Sequence, residues 1–270
     1  MTQGDGSLVV RCDPPSENLK AKDAGMGPPT SASATNMNRI LAAVNKADYR
    51  SLFSQLERVS LAQGQVLYEA ESPIDYVYFP VTAVLSMLST MADGRTVEVG
   101  PVGNEGLVGL RIFLGSDTSP DQVIVHVAGE AMRLRASALK TSVNDMGTLT
   151  RKLMRYTQML LAMTARSGAC NKLHSTEQQL ARWLLTMSDY VVNEELALTH
   201  DLIALTLGVR RAGVTEAANG FRNRGVIDYR RGHIQIVDRG GLEAMACECY
   251  QLVKKEYDQL HADLSGVAKI

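Results

Sequence analysis

The spacing of apolar side chains changes period along the chain, and the changes mark out its parts. From Asn38 to about Arg58, Ile40, Leu41, Val44, Tyr49, Leu52, Phe53 and Leu56 recur at helical intervals, and Asp48 is placed to begin a second half. The period then falls to two. Gln65 to Tyr68 is one short run, and Ile74, Tyr76 and Tyr78 alternate with Val77 and Phe79 until Pro80. Val84 to Leu88 and Thr96 to Val99 flank Asp93-Gly94, which predicts a type I′ hairpin. Val123, Val125 and Val127 alternate with Ile124, His126 and Ala128, and Met132 and Leu134 with Arg133 and Arg135. Glycines at 64, 94, 100, 103, 106, 109, 115 and 129 punctuate these strands. Short strands spaced by such turns predict a small antiparallel β-barrel or jelly roll.

From about Asp145 the pattern is helical again. Leu149, Leu153, Tyr156, Leu160, Met163, Ser167, Cys170 and His174 follow at alternating steps of four and three, a narrow seam over more than three heptads. Such a seam predicts pairing with a second copy in a parallel homodimer; the competing reading is that this face covers the barrel. A further helix, about Ser175 to Val191, carries Leu180, Trp183, Leu184 and Met187, and Ser175 with Gln178 fits a capping box.

Thr199 to Asn223 reads as two short helices around a tight turn. Thr199 suits an N-cap and Asp201 the first turn, with Leu202, Ile203, Ala204 and Leu207 on one side. Gly208 is placed to leave the helix left-handed, and a second helix from about Arg210 turns Val214, Ala217, Ala218 and Phe221 inward. Small residues at 204 and 208 let the helices cross closely, as a helix-turn-helix requires. Gly225 to Tyr229 and Ile234 to Val237 then flank Arg230-Arg231-Gly232-His233, a basic-tipped hairpin like the wing of a winged helix, and a last helix is predicted from Gly241 to about Leu260.

Charge sharpens this reading. Six arginines and two acids lie between Gly208 and His233, a local +4 in a chain of formal charge −1. A basic patch on a near-neutral chain is the footprint of phosphate binding. The 270 residues suffice for two cores. Residues 1 to 36 mix Gly, Pro, Ser, Asp and Thr and are expected to be a disordered tail. MTQGDGSLVV has no signal-peptide pattern, no run is long enough to span a membrane, and four scattered cysteines suggest a reducing cytoplasm.

The order barrel, long helix, winged helix-turn-helix resembles the Crp/Fnr family of bacterial transcription regulators, over roughly residues 38 to 250 and most specifically in LTHDLIALTLGVRRAGVTEAANGFRNRGVIDYRRGHIQIVD. The resemblance implies an α+β architecture: a tail (1–36), a cyclic-nucleotide-binding-like barrel (37–143), a dimerisation helix (144–174) and a winged helix-turn-helix (175–262). It also implies a homodimer on a palindromic operator in double-stranded DNA near promoters, with RNA polymerase as a partner. Matching onto Gly208 places Arg211 where members read guanine, with Arg210, Thr215, Glu216 and Asn219 beside it. Thr199, Arg222, Arg224, Arg230, Arg231 and His233 are expected on phosphates.

The chain departs from members that bind cyclic AMP. Their ribose-holding Gly-Glu falls on Gly109-Leu110 and their phosphate-pairing arginine on Pro120. Leucine cannot accept ribose hydrogen bonds and proline cannot neutralise phosphate, so cyclic AMP is not expected; Arg111 is a weak alternative anion partner. The departures leave open a different small-molecule effector, or none.

Cys12 alone in the tail does not support the family's iron–sulfur chemistry. Cys170 and His174, four apart, could face one metal or haem, but a small seam residue and a helix-closing histidine is the plainer reading. Cys247 and Cys249, two apart on one predicted helix, would point apart and chelate poorly. No metal and no cofactor is therefore expected. No nucleophile–base pair or phosphate-cradling lysine loop suggests an enzyme. The alternative to DNA binding is a scaffold module whose winged helix meets a protein.

Overall fold

The computed structural model describes residues 37–143, 147–191, 195–230 and 232–265. The expected tail, Cys12 and Arg231 lie outside them. Two short helices, α1 (Arg39–Ala42) and α2 (Arg50–Phe53), replace the single helical stretch read from Asn38. Asn38 caps α1 through its side-chain oxygen, and its amide donates to the carbonyls of Pro80 and Gly106, pinning the helix to the sheets. The predicted helix also ran too far, because β1 (Glu57–Leu61) begins within it.

Strands β2 (Val66–Tyr68), β3 (Tyr76–Pro80), β4 (Val84–Thr90) and β5 (Thr96–Val102) follow. Helix α3 (Leu110–Phe113), strands β6 (Gln122–Val127) and β7 (Gly129–Arg135) and helix α4 (Ala136–Ser142) complete this half. All pairings are antiparallel, in one sheet of order β1-β7-β3 and another of order β2-β6-β4-β5. Hydrogen bonding does not close the two sheets into a continuous barrel among the described residues. They sandwich Val77, Phe79, Leu85, Val123, Val125 and Leu134, as the alternation predicted.

The β4–β5 turn differs from the type I′ expectation. Only Gly94 has positive φ, at 83°, where type I′ needs two such residues. Gly94 N–H donates to the Met91 carbonyl and Met91 N–H to Arg95, the pattern of a three-residue turn with its bulge at glycine.

Helix α5 (Thr148–Leu173) hands over to α6 (Thr176–Tyr190) through His174 and Ser175, and both hydrogen bonds of the predicted capping box at Ser175 form. The predicted dimer seam is not free for a partner. Leu149, Leu153, Tyr156 and Met163 are buried in the core of the β-sheet half, and Leu160 and Ser167 are half-buried. Cys170 is buried in a cluster of its own with Cys247 and Cys249. The best apolar stripe on α5 thus belongs to its own chain, for the simple reason that a core leucine gains about 1.5–3 kcal/mol by burial wherever the neighbour comes from. A side chain on Gly106 would collide with the Tyr156 ring, so glycine there lets α5 lie close.

The C-terminal half contains β8 (Glu195–Ala197), α7 (His200–Leu207), α8 (Arg211–Asn223), β9 (Ile227–Arg230) and β10 (His233–Ile236). Its sheet has the order β8-β10-β9, so the predicted hairpin gains an unpredicted third strand. The last predicted helix is two, α9 (Arg239–Met245) and α10 (Cys249–Ser265), broken at Ala246. Helix α10 returns along α5, where Asp263 pairs with Arg155 and Val253, Leu260 and Leu264 join the core. Among the described residues no helix is long and apolar enough to cross a membrane.

Candidate nucleic-acid interface

Local chemistry builds the α7–α8 pair as expected. Thr199 caps α7 by accepting from the Leu202 N–H, and Gly208 ends it at φ 65°. Val214, Ala217, Ala218 and Phe221 turn inward onto a core with Trp183, Leu184, Ile203 and Ile234. The opposite face of α8 is exposed at Arg211, Ala212, Glu216, Asn219 and Asn223, which with Thr215 and Gly220 line one shallow concavity. Arg210 is exposed at the N-cap.

Two contacts refine the expected readers. Arg211 pairs with Asp201 at 3.1 Å, both largely exposed, which is worth at most about 1 kcal/mol and is readily exchanged. Thr215 is half-buried, with its hydroxyl 3.0 Å from His200 Nδ1, and the His200 ring stacks on Tyr229 of the wing at 4.5 Å. Thr215 is therefore tied to the protein side, through a histidine that sequence reasoning missed. No local signal joins residues 200, 215 and 229; the returning wing does. Asn223 was also missed, although it follows Asn219 by four residues on one face.

The expected phosphate residues form a looser set. Arg222 is exposed beside the concavity. Arg224 pairs with Glu177 of α6, and Arg230 with Asp228 at 2.9 Å. Thr199 is exposed with its hydroxyl oxygen used as the cap, and His233 is exposed on the wing.

The joint between the halves carries buried polar chemistry. Glu98 on β5 accepts from Ser86 at 2.5 Å and from Trp183 Nε1 of α6 at 3.3 Å. His126, edge-on to Trp183, lies 3.1 Å from the Ser86 hydroxyl and 3.7 Å from Glu98. Burial pushes the Glu98 carboxyl up to about 7 and His126 down to about 4, so near neutral pH the imidazole is uncharged and this approach is no ion pair. A side chain on Gly208 would meet Val97 at 3.1 Å, so the helix-turn-helix turn also rests on β5.

The expected effector residues separate. Gly109 adopts φ 87° against Val77, and Leu110 turns into the core. Arg111 donates to the Thr118 carbonyl and the Ser116 hydroxyl, closing its own loop, while Pro120 is exposed. Elsewhere, a cavity of about 170 Å³ between α1, α6 and α10 is lined by Arg39, Glu105, Asp189, Tyr190, Tyr257 and His261.

Comparison with known proteins decides the relationship. Residues 58–145 match the cyclic nucleotide-binding domain model and residues 178–245 the Crp-like helix-turn-helix domain, together more than half of the chain. The chain belongs to the Crp/Fnr family. Its fold is similar to FixK2 from Bradyrhizobium japonicum (18% identity, 71% of this chain and 98% of that one, TM-score 0.62). It is also similar to a Crp/Fnr regulator of Thermus thermophilus, at 22% identity over 70% of this chain and 98% of that one, TM-score 0.58. A Crp/Fnr regulator from Eubacterium rectale is similar at 18% identity over 76% and 96%, TM-score 0.59. Comparison with curated proteins finds no match. As a Crp/Fnr-type transcription regulator, the chain joins a cyclic-nucleotide-binding-type domain to a DNA-binding helix-turn-helix.

Proposed function

We propose that this Crp/Fnr regulator is a homodimer that reads a palindromic operator with α8 and does not use cyclic AMP. The reading rests on one observation above all: α8 has a fully apolar inner face and an outer face bearing Arg211, Glu216, Asn219 and Asn223. A helix held rigidly from behind presents those groups to base edges in the major groove. Arg211 takes guanine, Glu216 and Asn219 read beside it, and Arg210 and Arg222 hold phosphates together with Thr199, Arg224, Arg230, Arg231 and His233. The sensor spans residues 37–143, the dimer helix 144–174 and the reader 175–262. RNA polymerase is the partner that turns operator occupancy into regulation.

Dimerisation uses the face of α5 that flanks the predicted seam, about a quarter turn round the helix. Met154, Leu161 and Gly168 are exposed seven residues apart, with Thr157 and Thr164 between them. Both threonine hydroxyls donate back to the helix, to the Leu153 and Leu160 carbonyls, which leaves their methyl groups for packing. A partner α5 would bury this stripe as a heptad seam. Against cyclic AMP stand Leu110 in the core and Pro120 where a phosphate needs a cation.

Fluorescence anisotropy with operator and random duplexes tests the reader. Arg211→Ala is expected to cost about 1–3 kcal/mol on the operator and much less on random DNA. Equal losses on both would remove Arg211 from base reading.

A further inference from the structure

The break between α9 and α10 has a chemical consequence. Cys247 sits in the break and Cys249 opens α10, so the two do not diverge as they would on one helix. Both reach the end of α5. Cys170, His174, Cys247 and Cys249 each offer a ligand atom, and all four atoms lie within 4.8 Å of one another. Cys170 Sγ is 3.6 Å from Cys247 Sγ, and Cys249 Sγ is 3.8 Å from His174 Nδ1. The three cysteines are buried.

We propose that these four residues bind one divalent ion of the zinc type in a closed tetrahedral site. With metal–sulfur bonds of about 2.3 Å and metal–nitrogen bonds of about 2.0–2.1 Å, a tetrahedron has ligand edges of roughly 3.5–3.8 Å. The Cys170–Cys247 and Cys249–His174 separations lie at that edge length, and the other pairs, all within 4.8 Å, need only a small contraction to close around an ion. They are far longer than a disulfide, at about 2.05 Å, and a cluster of several irons would spread its thiolates wider than this group. Three sulfurs and one imidazole are soft and borderline donors, which favours zinc over magnesium or calcium. On binding, the three thiols release their protons to solvent as three metal–sulfur bonds form, and His174 Nδ1 gives its lone pair. The site then carries a net charge of −1.

The surroundings are those of a ligand set held in place. His174 Nε2 lies 3.2 Å from the Glu248 carboxylate, so the imidazole can bind metal through Nδ1 while donating its other N–H. Gln179 donates to the His174 carbonyl at 2.8 Å and to the Cys170 carbonyl at 3.4 Å, fixing the turn that carries two ligands. The ligands come from residues 170–174 and 247–249, on either side of the winged helix. An ion there clasps the entry and exit of the DNA-reading domain together, at the hinge where α5 passes to α6.

The full chain, reduced and stripped by a chelator, is titrated with Co(II) and then Zn(II). The expected result is one equivalent of Co(II) per chain, with the visible bands of a tetrahedral ion and thiolate-to-cobalt charge transfer, displaced by Zn(II). Cys249→Ser should lower the charge-transfer intensity by about a third, and Glu248→Gln should weaken binding ~10–100-fold with the spectrum unchanged. A thermal melt shows that each variant is folded; should Cys249→Ser not fold, the charge-transfer intensity of the unsubstituted chain still counts its thiolates. Absence of a thiolate spectrum, an unchanged spectrum in folded Cys249→Ser, or recovery of a Cys170–Cys247 disulfide from the reduced preparation overturns the proposal. Binding of metal is measured without DNA, so failure of the operator reading leaves this result standing.

Discussion

Helices α5 and α8 are built on opposite plans. Helix α8 is apolar on one side and polar on the other, so its packing and its proposed reading role occupy different faces. Helix α5 is apolar on two sides. Its inner stripe, Leu149, Leu153, Tyr156 and Met163, lies in the core, while Met154, Leu161 and Leu173 stand 50%, 68% and 76% exposed on other faces. Where one face is polar, pattern alone assigns both roles. Where two faces are apolar, pattern finds the stronger stripe and the fold claims it, and the weaker, smaller-residue stripe is the one the proposed dimer would use.

Mutation separates the two plans by size of effect. The largest loss is expected on the inner face of α5: Leu153→Ala removes a fully buried side chain and should cost about 2–5 kcal/mol in denaturant unfolding. A loss below that range would mean that α5 does not complete the core.

The joint between the halves comes next. Glu98 titrates at about 7 in the folded chain, above its ordinary 4.5, because burial penalises its charge. The folded state then holds a proton that the unfolded chain releases, so stability falls as pH rises from about 4.5 through about 7. His126, held down at about 4, acts in the opposite sense and costs stability as pH falls from its ordinary 6.5 through about 4. Glu98→Gln keeps the acceptor for Trp183 without the charge. Its melting temperature should equal the parent's near pH 4.5 and exceed it near pH 8, by up to about 3 kcal/mol in stability. An offset independent of pH would contradict the buried-charge account.

Smaller effects are expected on outward faces. Arg222→Ala should weaken operator and random duplexes alike and lower the salt-dependence slope by about one unit. Smallest in stability is Leu161→Asp, within about 0.5 kcal/mol for the folded monomer, since the side chain is solvated within its own chain. Its sedimentation should nonetheless change from dimer to monomer. A persistent dimer would return the partner face to some other surface.

The reader was legible because its signals are local. Thr199, Gly208, the capping box at Ser175 and the inward Val214–Phe221 set each act within a few residues, and each forms as read. The sensor's alternating strands were legible for the same reason. What could not be read depends on distant chain segments. The burial of the α5 seam needs α10 to return along it, and the Glu98–Trp183 contact joins residues 85 positions apart. The convergence of Cys170 and His174 with Cys247 and Cys249 turns on a helix break at Ala246 that no Pro or Gly announces.

Selection of bound sites from a random-sequence duplex pool by the full chain tests the central claim most directly, because it reads α8 and the α5 pairing at once. Two α8 helices related by a two-fold axis should enrich inverted half-sites centred about one helical turn apart, each with a guanine that Arg211→Ala makes dispensable. Enrichment of single half-sites, of directly repeated ones, or of no sequence at all would contradict a dimer that reads DNA through α8.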